Sequence, residues 1–238
     1  MVDLQQVKVL AFDVFGTVVD YRSTIVREGE ELSRAKGLDV DWAGFASEWR
    51  ARYQPELNRI IRGEEPWVKL DVVHRRALDE VLALFAIDTL SEDEKVEFNR
   101  VWHRLQPWPD ALAGLTRLRS RFTLATLSNG NVSLLVEMTK HSGLPWDVIL
   151  SAELAHAYKP DPRVYQMATD LLDLSPQEIM LVAAHPYDLQ AAYALGWHTA
   201  YVSRLGETDV SQPPDPTLLA SFDITATDFE DLARQLGA

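Results

Sequence analysis

Four short apolar segments, separated by longer amphipathic stretches, constrain the fold of this chain more than any other feature of its sequence. Each segment is rich in aliphatic and β-branched residues and has the length of one buried strand. They cover residues 7–12, 122–127, 179–184 and 199–202. Because strands that alternate with helix-length segments form parallel sheets covered by helices, the pattern predicts an α/β fold.

The segment of residues 21–105 interrupts this alternation. Apolar and aromatic side chains recur there at spacings of three or four, and breaks at Gly37 and Gly63 help to divide it into about four helices. We therefore predict that residues 21–105 form an inserted helical cap domain, and that residues 1–20 and 106–238 form one discontinuous core domain. The insertion follows the first strand, so we expect it to cover the carboxyl edge of the sheet, where open α/β folds bind ligands.

Composition excludes several classes of function. The chain has 36 acidic and 23 basic residues, and its net charge of -13 repels nucleic acid and anionic membranes. It has no cysteine, which excludes disulfides, thiolate metal ligands and a cysteine nucleophile. No stretch approaches the roughly 18 apolar residues of a membrane span, and the first residues do not resemble a secretion signal. We therefore expect a cytoplasmic protein with neither nucleic-acid nor membrane partners.

Polar side chains lie where three of the predicted strands end. Asp13 follows the first strand, Ser128 and Asn129 follow the second, Asp188 follows the third, and Lys159 lies between the last two. A carboxylate beside a lysine can act as a nucleophile. Each residue alone also has an ordinary structural interpretation, as a helix cap, a turn residue or a solvated lysine. Their order at successive strand ends favours one shared site.

In this order, the segments resemble the four motifs of the haloacid dehalogenase superfamily. The matching segments are residues 13–17, residues 127–130, Lys159 with Pro160, and the loop that contains Asp188. The resemblance spans essentially the whole chain. It implies a Rossmann-like core, a helical cap inserted after the first motif, and an aspartate that forms a covalent intermediate. The fold by itself does not define the reaction.

Two positions depart from the magnesium-dependent phosphatases that make up most of this superfamily. Phosphoryl transfer needs a second aspartate two residues after the nucleophile as general acid, and here that residue is Phe15. The fourth motif supplies one carboxylate, Asp188, where phosphatases usually supply two for the cation. We therefore expect no metal and no other cofactor. A phosphatase is the rival enzyme, and a catalytically silent binding module is the rival outside enzymes.

The branch that lacks both the acid and the metal is the type II 2-haloacid dehalogenases. Trp49 and Arg50 resemble the tryptophan and arginine of that branch's cap, and residues 158–165 resemble its third motif. Displacement of a halide needs a desolvated carboxylate, a cation for the departing anion and a dry aromatic pocket, but no proton for the leaving group. A surface ion pair is the alternative interpretation of Arg50.

The resemblance implies roles for most of the expected site residues. In it, Lys159 neutralises the nucleophile, Asp188 positions Lys159 or the water, and Arg50 receives the halide. Thr17, Ser128 and Asn129 orient carboxylates, and Tyr165 frames the pocket. The catalytic set is Asp13, Lys159, Asp188 and Arg50, and the substrate- or halide-binding set is Thr17, Phe15, Ser128, Asn129, Tyr165, His185 and Tyr187. The expected partner is a small anionic haloacid, and a homodimer is expected from the resemblance alone.

The fourth motif departs from the pattern of this branch. Ala183, His185 and Tyr187 stand where serine, asparagine and an aromatic residue are typical. His185 is a histidine hydrogen-bonded to backbone, a donor that narrows the halide space and binds departing fluoride, or, in place of Asp188, the group that activates water for ester hydrolysis. The sequence thus predicts metal-independent hydrolytic dehalogenation of short 2-haloalkanoic acids, fluoroacetate among them, to 2-hydroxy acids of inverted configuration through an aspartyl ester.

Overall fold

The computed structural model describes residues 4–207 and 214–238. Six of its strands form one parallel sheet in the order β5-β4-β1-β6-β7-β8, and the other two form a small antiparallel ribbon. The strands are β1 (Val9–Phe12), β2 (Val19–Asp20), β3 (Gln106–Pro107), β4 (Thr123–Ser128), β5 (Val148–Ser151), β6 (Ile179–Ala183), β7 (His198–Val202) and β8 (Ile224–Ala226).

The described part of the chain also contains ten α-helices. They are α1 (Tyr21–Lys36), α2 (Trp42–Ile61), α3 (Leu70–Leu84), α4 (Glu92–Asn99), α5 (Ala111–Arg119), α6 (Val132–Ser142), α7 (Pro162–Leu172), α8 (Pro186–Ala194), α9 (Pro216–Leu219) and α10 (Phe229–Gln235). Short 3-10 helices lie at Leu4–Gln6, Arg100–His103, Ala152–Ala155 and Pro176–Glu178. Within the described residues, none of the helices combines the length and the apolar character that crossing a membrane requires.

Strand β1 lies at the centre of the sheet. Leu10 pairs with Leu124 of β4 on one side and with Met180 of β6 on the other. All four residues of β1 are buried because helices cover both faces of the sheet, which explains why its sequence is continuously apolar. The predicted α/β fold with a parallel sheet is confirmed, and all four predicted strands belong to it. The sheet's two remaining strands, β5 and β8, lie at its edges, and the sequence did not predict them.

Along the chain, the helices α1 to α4 come after β2 and before β3, the two strands of the antiparallel ribbon. Val19 pairs with Pro107 and Asp20 with Gln106, so the chain leaves the sheet and returns to it at one point. The helices pack on one another through an aromatic cluster in which Phe45 contacts both Trp49 and Phe98. The number of helices agrees with the expectation from the sequence. We call residues 21–105 the cap and the remainder the core, and their status as separate domains stays a prediction.

Candidate active site

Asp13 is the first residue after β1, at the carboxyl edge of the sheet. Its backbone N–H donates to the carbonyl of Val182 at 3.0 Å, which continues the parallel pairing by one residue. The chain then turns through Gly16, whose φ of 79° lies in the left-handed region that favours glycine. The turn buries Asp13 beneath the following residues, and its carboxylate is largely shielded from water.

Three side chains contact the carboxylate of Asp13. Lys159 Nζ donates to Oδ1 at 2.9 Å, Thr17 Oγ1 donates to Oδ2 at 2.7 Å, and Nδ1 of His185 lies 2.8 Å from Oδ2. Burial alone raises the pKa of Asp13, but Lys159 and His185 together lower it well below its usual range. Asp13 is therefore an ionised, desolvated carboxylate with its orientation held from three sides.

Lys159 bridges the two carboxylates of the site. Its Nζ donates both to Asp13 and to Oδ2 of Asp188. Burial opposes the charge of Lys159, yet the two carboxylates raise its pKa, so it stays an ammonium group. Tyr165 donates its hydroxyl to Oδ1 of Asp188 at 2.5 Å and is fully buried. Tyr165 therefore orients Asp188, and its role in framing the pocket stays a prediction.

Thr17 has a second contact that fixes its hydroxyl. Its Oγ1 accepts the backbone N–H of Ala184 at 2.9 Å and donates to Asp13, so the loop after β6 and the loop after β1 hold each other. The prediction that Thr17 orients a carboxylate agrees with this geometry.

Ser128 and Asn129 lie at the end of β4 but contact no carboxylate of the site in the described structure. Ser128 Oγ accepts the N–H of Gly130, while Asn129 Oδ1 accepts the backbone N–H of Lys159 at 2.8 Å. Asn129 Nδ2 also donates to the hydroxyl of Tyr53 in α2 at 3.0 Å. Asn129 thus positions the backbone of Lys159 and connects it to the cap, instead of orienting a carboxylate directly.

His185 links Asp13 to a residue that the sequence analysis missed. Its Nδ1 contacts Asp13, and its Nε2 lies 2.8 Å from Oε1 of Glu207. Burial opposes a charged ring, but Glu207 and Asp13 raise the pKa of His185 to about 10. Because both ring nitrogens contact carboxylates, the interpretation of His185 as a ring hydrogen-bonded to backbone is wrong.

Glu207 reaches the site from the segment after β7. Its carbonyl accepts the hydroxyl of Tyr21 at 2.9 Å, and Arg204 in the same segment donates Nε to the carbonyl of Thr17 at 2.7 Å. The carboxyl end of β7 also lies at the ligand-binding edge of the sheet. The position of Glu207 shortly after a predicted strand is the only signal in the sequence that could have identified it, since no recognised motif includes Glu207.

Arg50 approaches the site from α2 in the cap. Its guanidinium carbon lies 4.4 Å from the ring centroid of Tyr53 and 5.5 Å from that of Tyr21. Within residues 4–207 and 214–238, no carboxylate forms an ion pair with it. The alternative interpretation of Arg50 as a surface ion pair is therefore wrong. A cation held by aromatic rings without a carboxylate partner remains available to an anion.

Aromatic rings lie on the other sides of the site. The ring of Phe15 packs edge-on against Trp102 and His74 of the cap, with centroids 5.8 and 6.1 Å away. Tyr187 stays 42% exposed, and its ring centroid lies 5.7 Å from that of His185. Phe15 therefore belongs to the contact between cap and core, and its role in substrate binding stays a prediction.

His74 is a second residue that the sequence analysis missed. It is buried and stacks on Trp102 at a centroid distance of 4.0 Å, and neither of its ring nitrogens has a hydrogen-bond partner among the described residues. Burial lowers the pKa of His74 to about 3, so the ring is neutral. Its ring also lies 5.9 Å from that of Tyr53, which places an unpaired polar group beside the site.

In chemical terms, the site provides a carboxylate nucleophile, and the position two residues after it carries no acid. The carboxylate of Asp13 is anionic and dry, and Phe15 stands where a proton donor would be needed. Among the residues that the structure describes, no three His, Asp or Glu side chains form a group that could hold a metal ion. The arrangement suits attack by a carboxylate on an electrophilic carbon whose leaving group departs as an anion.

Comparison with known proteins places the chain in a family. The model of the haloacid dehalogenase-like hydrolases matches residues 7–196. The chain therefore belongs to this family of hydrolases.

Individual relatives narrow the assignment. The (S)-2-haloacid dehalogenase 4A of Burkholderia cepacia is 33% identical over 219 residues, which cover 87% of this chain and 86% of that protein. Haloacetate dehalogenase H-2 of Moraxella sp. (strain B) is 27% identical over 224 residues, covering 90% and 95%. The crystal structure of a defluorinating L-2-haloacid dehalogenase is 44% identical with a TM-score of 0.90, over 98% of this chain and 96% of that one. Within its family, the chain is an enzyme of the type II 2-haloacid dehalogenase branch.

Proposed function

We propose that the protein catalyses metal-independent hydrolytic dehalogenation of short 2-haloalkanoic acids to 2-hydroxy acids. The observation that carries this proposal is the buried, ionised carboxylate of Asp13, held by Lys159 at 2.9 Å beneath a cap that contributes Arg50. The relatives named for 2-haloacids and haloacetate support the choice of substrate class.

In the first step, a carboxylate oxygen of Asp13 attacks C2 of the substrate. The bond from C2 to the halogen breaks, its electron pair leaves with the halide, and an aspartyl ester forms. Attack in line with the leaving group inverts the configuration at C2. Arg50 receives the halide because it is a cap cation that lies beside the site without a carboxylate partner in the described structure, and a guanidinium group offers several N–H donors to one anion.

In the second step, water opens the ester at the carboxyl carbon of Asp13. The oxygen that first belonged to Asp13 leaves with the 2-hydroxy acid, and water supplies its replacement. Lys159 neutralises charge on the Asp13 side, and Asp188 together with Tyr165 holds Lys159 in place. Over the complete cycle, one water is consumed, and one halide and one proton are released.

The substrate carboxylate needs an anion site near C2. Backbone N–H groups of the Asp13 loop and of the turn at Ser128 offer neutral donors there, so no further cation is needed. We include fluoroacetate among the substrates, because the relative with a TM-score of 0.90 is named as defluorinating. A small anionic haloacid is thus the proposed partner of the site.

Halide release tests the proposal directly. Purified protein is incubated with chloro-, bromo- and fluoroacetate and with both enantiomers of 2-chloropropionate, with and without an excess of chelator. We expect halide and the 2-hydroxy acid in equal amounts, undiminished by the chelator. Absence of halide from every substrate would reject the proposal, and activity restored specifically by magnesium would reject its metal independence. A phosphate ester with magnesium tests the rival phosphatase activity in the same preparation.

A further inference from the structure

His185 and Glu207 form a hydrogen-bonded pair beside the nucleophile. Nδ1 of His185 lies 2.8 Å from Asp13 Oδ2, and Nε2 lies 2.8 Å from Glu207 Oε1. Both ring nitrogens are therefore occupied by carboxylates. A ring in this position has no N–H left for a departing halide, but it lies next to the carboxyl group whose ester must later be hydrolysed.

We propose that His185 is the general base of ester hydrolysis and that Glu207 is the residue that positions it. The inference rests on the proposed function, because it concerns the aspartyl ester. A nitrogen that contacts Oδ2 of Asp13 lies beside the carbon that water must attack. Glu207 accepts the N–H of Nε2 and leaves the lone pair of Nδ1 facing the ester, as the aspartate of a catalytic triad does for its histidine.

The charge of Asp13 determines which form His185 takes. While Asp13 is an anion, two carboxylates contact the ring and together raise its pKa, which favours the imidazolium form. Ester formation removes the charge of Asp13, so the ring keeps Glu207 as its one anionic partner in the described structure. His185 then releases its proton to solvent as the halide leaves, and this proton is the one that the net reaction produces.

The neutral ring then activates water. Water transfers a proton to Nδ1 of His185 while its oxygen bonds to the carboxyl carbon of Asp13. The tetrahedral intermediate expels the alkoxide of the 2-hydroxy acid, which takes the proton of the added hydroxyl group. Asp13 is again a carboxylate and His185 again an imidazolium, so the starting charges are restored.

The other groups around Asp13 are less suited to this role. Both oxygens of Asp188 already accept hydrogen bonds, one from Tyr165 and one from Lys159. Lys159 stays protonated because two carboxylates raise its pKa. The hydroxyl of Thr17 is not basic. Of the described side chains that contact Asp13, His185 is thus the one whose protonation changes when the ester forms.

The test separates ester formation from ester hydrolysis in the full-length protein. Chloroacetate is mixed with an excess of wild type, Glu207→Gln or His185→Asn, the reaction is quenched with acid at successive times, and chloride and intact protein mass are measured. We expect both variants to release the first chloride at a rate within a few-fold of wild type. We expect the ester to accumulate, because its hydrolysis slows by about 10²-fold without the base.

A comparison of substrates provides a second readout. Chloroacetate and bromoacetate give the same ester, so their kcat values become equal once hydrolysis limits turnover. We expect this convergence in Glu207→Gln and in His185→Asn, whereas a purely structural role of either residue would leave the ratio of the two kcat values unchanged. A loss in His185→Asn confined to fluoroacetate would assign His185 to the departing halide and overturn the proposal.

Asp223→Asn is the matched control. Asp223 lies 3.2 Å from Nδ1 of His198. Because His198 is the first residue of β7, this pair lies at the amino edge of the sheet, opposite the edge that carries Asp13. Its side chain is as buried as that of Glu207, with exposed fractions of 10% and 9%. We expect this variant to hydrolyse the ester at the wild-type rate.

The outcomes distinguish this inference from the function on which it rests. Hydrolysis of the ester at the wild-type rate in Glu207→Gln and His185→Asn would overturn the role of the pair and leave dehalogenation intact. A single turnover of wild type in heavy-oxygen water that leaves Asp13 unlabelled would instead overturn the proposed mechanism. Should Glu207→Gln fail to fold, as judged by circular dichroism, His185→Asn alone decides, because it places in the site the residue that is typical of the branch.

Discussion

Gly16 and Glu207 lie in direct contact, although 191 positions separate them in the chain. A Cβ atom built on Gly16 would lie only 2.0 Å from Oε1 of Glu207, and φ at Gly16 is +79°. Position 16 therefore requires glycine for two reasons. The turn after Asp13 needs a left-handed backbone there, and the side chain of Glu207 occupies the space that a Cβ atom would fill. The contact holds Glu207 against His185.

We expect Gly16→Ala to impair both stability and turnover. The left-handed backbone costs a residue with a side chain on the order of 1–2 kcal/mol, and the new methyl group displaces the carboxylate of Glu207. Turnover should therefore fall in the same way as in Glu207→Gln, with accumulation of the ester. Denaturant unfolding and single-turnover kinetics measure the two effects.

Gly143→Ala separates the effect of the left-handed backbone from the effect of displacing Glu207. Gly143 also has a left-handed backbone, with φ of +67°, but a Cβ there meets no atom within 4 Å. This variant should lose a similar amount of stability and keep full activity. Equal activity of Gly16→Ala and Gly143→Ala would contradict the importance of the contact between Gly16 and Glu207.

Arg50→Lys should abolish most activity without unfolding the protein. An ammonium group cannot reproduce the planar guanidinium that lies 4.4 Å from the centre of the Tyr53 ring, nor its several donors to a halide. We expect kcat to fall by about 10²-fold, the size typical for loss of one preorganised donor. Arg52→Lys is the control, because Arg52 lies on the same helix and forms ion pairs with Glu48 and Glu80. Near-normal kinetics of Arg50→Lys would exclude the halide role.

The parts of the site that could be predicted are those built from strand ends and local motifs. Asp13, Lys159 and Asp188 follow recognisable segments, and parallel strands bring such ends to one edge. Their mutual contacts in the structure agree with that prediction. The edge strands β5 and β8 escaped prediction because they include partly buried or exposed residues, so they lack a continuous apolar run.

Glu207 and His74 could not be predicted, for a different reason. Glu207 acquires its role through contacts with Gly16 and His185, which depend on how the segment after β7 crosses the sheet edge. His74 lies at an apolar spacing of α3, where a buried, neutral histidine is indistinguishable from a core residue in the sequence. Tyr165 shows the same limit, because a motif predicts that a residue lies near the site but not which atom it contacts.

Asp13→Asn should reduce turnover by orders of magnitude, because the amide is not a nucleophile. The proposed ester also predicts the path of oxygen. In a single turnover of wild type in heavy-oxygen water, label should enter the carboxylate of Asp13, and the first product should stay unlabelled. Mass spectrometry of the peptide that contains Asp13 and of the 2-hydroxy acid measures both. Label found directly in the first product would show that water attacks C2 itself.

The stability of the protein should depend on pH through His185. Its pKa is raised from 6.5 in the unfolded chain to about 10 in the folded protein, so the folded state binds the proton more tightly. The resulting stabilisation is complete below about pH 6.5 and is lost as pH rises through about 10. Between these values, the free energy of unfolding of wild type should decline more steeply than that of His185→Asn. Parallel pH dependences of the two proteins would show that the ring is not charged in the folded state.

His74→Phe should make the protein more stable and less active. Two buried ring nitrogens without partners in the described structure cost about 1–3 kcal/mol, and phenylalanine removes that cost while keeping the stacking on Trp102. We expect kcat/KM for chloroacetate to fall, because the wall beside Tyr53 loses its polar group. His103→Phe is the control: both nitrogens of His103 contact carboxylates, of Asp71 and of Glu137, so the same replacement should destabilise the protein. A less stable His74→Phe would mean that its nitrogens are hydrogen-bonded in solution.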